Sequence, residues 1–424
     1  TTTLNLEKGT VGGVIGGGLA AAADFTDIQD GVADILGSQY SDNLTFNDEL
    51  VHQAGTAHAT SKDVQILIGS NSAVAGVIGG GAALGYQYGD STVGAKATSE
   101  VGNVTIQIGE KDGANPFVNE DGTIDKEAKG QFFSDLKTSL KKIADGEISF
   151  ESISKLADAA NQPGVTALVA GGGFAAAYDR NRGSQNVEGA FADVDATVTG
   201  DVTIDVLSGY NVGIIGGGIA AASGRGDADG DPMATANVEG NTTIQLLGGE
   251  TIGVLGGGIA GFAGSAEDNY TVGAQANVNK KTTIYADGGS KIDGIFGGGL
   301  AVDDTNPKPN GEYQTVTNAQ ANVGEVSIVI NDASVNVLNF KAFANIEDTD
   351  VGQKDVLSYA YTAFEAAGDN KVAIMAGGIS AGLNTAEEAG ATVDKAMITL
   401  GTGAEVTGNV FGGGMGVATI FEKC

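Results

Sequence analysis

The stretch RGDADGDP (225–232) places Asp227, Asp229 and Asp231 at alternate positions, the spacing with which calcium loops surround a hard cation with carboxylate oxygens. An EF-hand loop needs a bidentate Glu at its twelfth position, and that position here is Val238. A loop-type calcium site and a solvated acidic turn both remain open. Arg225, Gly226 and Asp227 also spell the integrin-binding tripeptide, which is too short to carry an assignment. His52 and His58 are the only histidines. His58 alternates with Ala57 and Ala59, which aims it at solvent, beside Lys96 of the next repeat. The single cysteine, Cys424, has no partner for a disulfide or a thiolate metal site. No Ser-His-Asp set and no H-E-x-x-H motif stands out. GVIGGG lacks the glycine order and the Lys-Ser/Thr of a phosphate-binding loop. The expectation is a chain that is not an enzyme and holds no obligate cofactor, calcium being the one candidate.

The elements that must position these residues are written as repeats. The phrase VIGGGLA (14–20) returns as VIGGGAA (77–83), VAGGGFA (169–175), IIGGGIA (214–220), VLGGGIA (254–260), IFGGGLA (295–301), MAGGIS (375–380) and VFGGGMG (410–416). Its central glycines are Gly17, Gly80, Gly172, Gly217, Gly257, Gly298, Gly378 and Gly413, with steps of 63, 92, 45, 40, 41, 80 and 35 residues. A unit of about 40 residues accounts for most of these steps. The step of 80 predicts a degenerate copy in VNVLNFKAFA (335–344), where Asn339, Phe340 and Lys341 replace the glycines. That makes about nine units.

A second phrase precedes the triplets: VQILIG (64–69), VTIQIG (104–109), VTIDVL (202–207), TTIQLL (242–247), TTIYAD (282–287), VSIVIN (326–331) and AMITLG (396–401). Val202, Ile204 and Val206 alternate with Thr203 and Asp205, the period of two that marks a half-buried strand. A third, Ala-rich phrase comes earlier still, as in AQANV (274–278) and AQANV (319–323). Three short strands per unit describe one coil of a parallel β-solenoid. A single coil cannot bury its apolar residues, but stacking at about 4.8 Å pairs each strand with its equivalents. The fold class is therefore all-β, a parallel β-solenoid of about nine coils.

Runs of glycine persist where something approaches the backbone closely or the chain bends sharply. Two readings follow. The triplets form a cramped wall against the Ala-rich strand, or they form a flat external strip on which another chain or a polymer lies.

Two excursions interrupt the coils. Phe132, Phe133, Leu136, Leu140 and Ile143, then Ile148, Ile153 and Leu156, fall at helical spacing, so 110–165 is read as a helical hairpin between solenoid parts 1–109 and 166–424. A long loop near 25–52 separates the first two coils. Leu4 and Leu6 align with Ile244 and Leu246, which opens the chain inside a coil, while Phe411 and Ile420 lie in and just after the last glycine segment. These four residues are candidate assembly contacts, because an uncapped solenoid recruits neighbours. The competing explanation is that the ends are boundaries within a longer chain.

Composition limits the partners. The chain has 424 residues with 53 acidic against 22 basic, a formal net charge of −31, which disfavours phosphate backbones and anionic membranes. No apolar run is long enough for a membrane span. Gly is 69 of 424 and Trp is absent, so any core is thin and aliphatic.

The phrases VEGNTTIQLLGGETIGVLGGGIAG (238–261) and GNVFGGGMG (408–416) resemble the glycine-rich repeat regions of bacterial cell-surface proteins, including autotransporter-like adhesin passengers. The resemblance implies an extracellular β-helix used for adhesion or as a surface fibre, after removal of any signal peptide, and carries no fixed site residues. Its implied partners are further copies of the chain, surface glycans or host cell-surface ligands. A polysaccharide-binding or polysaccharide-cleaving β-helix is the alternative, as is a passenger fragment of a larger adhesin.

Overall fold

A computed structural model describes residues 1–25, 56–88, 94–111, 113, 115–119, 121, 123–132, 162–180, 192–225, 233–265, 271–306, 316–338, 370–383 and 390–419. The coil at 193–225 shows the unit. Its four strand segments are Asp193–Asp195, Val202–Val206, Tyr210–Ile215 and Ile219–Arg225. Each lies parallel to the equivalent segment of the following coil: Asp193 beside Met233, Val202 beside Thr242, Tyr210 beside Glu250 and Ile219 beside Ile259. The first segments form a six-stranded sheet and the fourth segments an eight-stranded one, while the second and third share a sheet of seventeen strands. The chain is the parallel β-solenoid its repeats imply.

The register refines the coil in two respects. The three phrases correspond to four strand segments, because the glycine triplet is a corner between the third and fourth segments rather than a strand. Among the described residues the coils number eight, not nine. Ile295 pairs with Ile374 and Leu300 with Ile379, so the triplet at 297–299 stacks directly on Gly377 and Gly378. Val335 ends a third segment, Ala333–Val335, of the coil that begins at Val316. Residues 335–338 thus follow the third segment of that coil instead of opening a new one, and 339–344 lie outside the described residues. The physical reason is the corner itself, whose backbone-on-backbone contact has no room for Asn339, Phe340 or Lys341.

The cross-section has two lobes. Second and third segments enclose a column of Val and Ile, in which Ile66, Ile106, Ile204, Ile244, Ile284 and Ile328 stack with no exposure. First and fourth segments enclose a narrower lobe made almost wholly of Ala, such as Ala196, Ala236, Ala276, Ala220 and Ala260. Side-chain ladders close the turn between the first two segments. The Asn277 amide donates to Asn237 Oδ1, that of Asn322 to Asn277 Oδ1, and that of Thr392 to Asn322 Oδ1, at 2.8, 2.8 and 2.9 Å. Such bonds give turn amides an acceptor where the sheet ladder does not reach.

A third apolar cluster lies on the outside of the solenoid wall. The described part of the 110–165 excursion packs there. A short helix, 126–132, starts at Asp125, whose carboxylate accepts from the Ala128 amide at 3.0 Å in the manner of an N-cap. Phe117 and Phe132 close on the Tyr210 ring at 4.9 and 6.1 Å, both edge-on. The remainder of the proposed hairpin, 133–161, lies outside the described residues, as does the loop at 26–55.

Candidate functional site

The glycine corner is the most regular feature of the molecule. The Gly17 amide donates to the Gly80 carbonyl, Gly80 to Gly172, Gly172 to Gly217, Gly217 to Gly257, Gly257 to Gly298, Gly298 to Gly377 and Gly377 to Gly413, at 2.9 to 3.1 Å. One ladder of glycine peptides therefore links all eight described coils. The sequence assigned Gly378 to this column, whereas the ladder runs through Gly377. MAGGIS carries Ala376 at the first of the three positions, so its central residue is one place earlier than a GG pair suggests.

The corner sits at the waist between the two lobes. A Cβ on Gly172, Gly217, Gly257 or Gly298 would come within 2.5 or 2.6 Å of a glycine nitrogen in the next coil. On the third glycine of a triplet it would meet the Ala strand, as Gly218 meets the Ala236 methyl at 2.8 Å and Gly258 the Ala276 methyl at 2.7 Å. In the inner coils the triplets are buried, which matches the reading of a cramped wall against the Ala-rich strand.

The end coils differ. Leu4 and Leu6 point into the Val/Ile lobe but are only partly covered. At the other end Gly412 and Gly413 have nothing within 4 Å of a Cβ, and they border a shallow trough of about 430 Å³ with Gly377, Ala391 and Gly414. Of nine exposed large apolar residues among those described, six belong to these two coils: Ile15, Leu19, Met397, Leu400, Val410 and Phe411. Ile420 lies outside the described residues. So do Asp227, Asp229 and Asp231, and no cluster of three metal-ligating side chains occurs among the described ones.

The outward ladder on the second segments is Gln107, Asp205, Gln245, Tyr285 and Val329, side by side in register. Gln245 donates to Asp205 Oδ1 at 2.8 Å, and the Tyr285 hydroxyl donates to Asp287. Burial raises the Asp205 carboxyl above its ordinary value, while the Gln245 bond pulls it back. His58 is exposed and lies opposite Thr98; Lys96 instead faces Thr56. The sequence reading placed His58 beside Lys96, but the two strands pair two residues out of that register.

One constellation was not visible in the sequence. Lys129 Nζ lies 2.5 Å from Glu250 Oε1 and 4.7 Å from the Tyr210 ring centroid, with both charged side chains mostly buried. Asn115 donates to the other Glu250 oxygen at 3.2 Å. Asp293 sits close by, hydrogen-bonded by Asn336. Burial pushes its carboxyl above the ordinary value and the Glu250 charge adds to the rise, while the Asn336 bond and Lys129 oppose it. Burial likewise raises the Tyr210 phenol. These groups clasp the excursion to the wall of the fourth to sixth coils.

Neither a family model, nor a curated protein, nor a solved structure matches the chain. Among the described residues no helix is long and apolar enough to cross a membrane.

Proposed function

We propose that this chain is a non-enzymatic structural or adhesive β-solenoid of a bacterial cell surface, and that it self-associates through its end coils. The observation that carries the reading is the placement of exposed apolar side chains. Among the described residues the inner coils expose only Leu168, while the first and last described coils present Ile15, Leu19, Met397, Leu400, Val410 and Phe411 beside strand edges that have no described partner. Unpaired edges of this kind are templates for further strands. A contact made by two different surfaces propagates instead of closing, which gives a fibre. The extracellular setting is supported by the resemblance to glycine-rich adhesin repeats and by the strongly acidic composition, which suits a cation-rich medium.

Electron microscopy of the purified chain, with and without calcium, tests the reading. Filaments that lengthen with protein concentration are the expected result. Single short rods at every concentration, in both media, would remove self-association from the proposal.

A further inference from the structure

We propose that Lys129 and Asn115 are the two halves of a self-forming amide cross-link, and that Glu250 carries the protons that make it. The product is an isopeptide bond from Lys129 Nζ to Asn115 Cγ, with loss of one ammonia. The inference stands apart from self-association and concerns the excursion and the wall beneath it.

One carboxylate sets the geometry. Lys129 Nζ donates to Glu250 Oε1 at 2.5 Å, and Asn115 Nδ2 donates to Glu250 Oε2 at 3.2 Å. The amine and the amide therefore share the two oxygens of a single group, each within the hydrogen-bond reach that a general base and acid requires. The amide oxygen is engaged as well, because the Phe117 backbone N–H donates to Asn115 Oδ1 at 2.9 Å. Negative charge gathers on that oxygen when a nucleophile adds to Cγ, and a backbone donor about 2.7–3.1 Å away is what stabilises it.

The surroundings keep water from competing. The Lys129 and Glu250 side chains are only 23% and 15% exposed. Phe117, Phe132 and Tyr210 are buried beside them, and Nζ lies 4.7 Å from the Tyr210 ring centroid. A proton can pass along the Lys129–Glu250 contact without a solvent relay, and bulk water has little access to Cγ.

The reaction needs no oxidant and no cofactor. Lys129 gives a proton to Glu250 Oε1, and its neutral amine adds to Asn115 Cγ. The Cγ–Oδ1 double bond opens to an oxyanion facing the Phe117 N–H, then closes again as the Cγ–Nδ2 bond breaks. Of the three protons on the lysine ammonium, one stays on the new amide nitrogen. The other two pass through Glu250 to Nδ2, which departs as ammonium. The motion required is that of the lysine stem, which has to carry Nζ to within about 3–3.5 Å of Cγ. Once formed, the bond closes residues 115–129 into a ring that contains Phe117. The clasp changes from an ion pair into a neutral contact, in which the new amide N–H faces Glu250.

Mass spectrometry of the full chain, unfolded after a period in the folded state, reads the reaction directly. The expected mass is that of the sequence less one ammonia, and digestion should release a branched peptide joining Lys129 to Asn115. Lys129→Arg keeps a cation for Glu250 but offers no neutral amine. This variant, Asn115→Ala and Glu250→Gln should each show their full mass, with the parent's strand content by circular dichroism. A parent of full mass overturns the proposal. So does an ammonia loss that persists in Lys129→Arg, which would arise at another amide, and so does loss of water, which would join Lys129 to Glu250 or Asp293 instead. A cross-link that still forms in Glu250→Gln overturns the part given to Glu250. Should a variant fail to fold, the presence or absence of the branched peptide in the parent still decides.

Discussion

Gly257 and Gly413 hold equivalent places in two coils and differ in what a methyl group would meet. At 257 it would lie 2.6 Å from the Gly299 nitrogen and 2.7 Å from its Cα; at 413 it would meet nothing within 4 Å. Backbone cannot step aside as a flexible side chain can, so Gly257→Ala should destabilise by about 1–3 kcal/mol or more through overpacking. Gly413→Ala should stay within about 0.5 kcal/mol, as surface changes do; urea denaturation of the two single variants checks both. A comparable cost at both positions would mean that close stacking is not what selects glycine. Asp293 gives a second residue-scale test. Its folded carboxyl is raised, chiefly by burial, so the protonated form suits the fold. Its contribution to stability is complete below the ordinary carboxylate range, near about 3.9, and is lost as pH rises through the folded value. Asp293→Asn, which keeps an acceptor for Asn336, should therefore raise the melting temperature at neutral pH and flatten its decline from mild acid to neutrality, with little change at low pH. A variant that melts lower at neutral pH would contradict this. The triplets were legible in the sequence because a run of three glycines repeats without ambiguity. Their true column was not legible at MAGGIS, where two glycines cannot show which of three positions the Ala376 side chain has taken.

At the scale of elements, the alternation of Val202, Ile204 and Val206 was enough to place the second segment of every coil, since a period of two with a fixed offset to the glycines leaves one register. The third and fourth segments were harder. Ile214 faces the inner lobe while Ile215 faces the outer cluster, so this wall is apolar on both sides and shows no alternation. Phe117 and Phe132 of the excursion join this outer apolar face, and the clasp beside them joins residues 121 positions apart, Lys129 and Glu250. No spacing rule reaches that far. Removing Lys129 leaves Glu250 and Asp293 as neighbouring carboxylates with no described cation between them. Breaking a buried pair from one side costs about 3–5 kcal/mol, and the residual exposure of this one brings the figure to about 1–3 kcal/mol. Lys129→Ala should loosen the excursion and leave the coils in place. Hydrogen exchange should therefore quicken at 115–132 while the amides of Val202–Val206 keep their protection. Equal acceleration in both would show that the clasp supports the solenoid itself.

The whole molecule sets two opposing terms against each other. Stacking copies would pair open strand edges and cover apolar residues, but each copy brings a net charge of −31, and like charges along a rod resist alignment. The apolar contacts and ladder bonds act at van der Waals distance and do not depend on dissolved salt at moderate concentration. The repulsion acts over a Debye length, about 30 Å at 0.01 M and about 10 Å at 0.1 M, so at low salt it spans several coils and at moderate salt about two. Added salt should therefore favour assembly, the opposite of what it does to a contact held by ion pairs across an interface. Light scattering at fixed protein concentration is expected to rise as sodium chloride increases from about 0.02 M to about 0.5 M. Calcium chloride at matched ionic strength separates screening from a bound ion: greater scattering that disappears when Asp227, Asp229 and Asp231 are changed to Asn would place calcium at that loop. Scattering that falls as salt rises would show that opposite charges, rather than apolar faces and ladder bonds, join the copies.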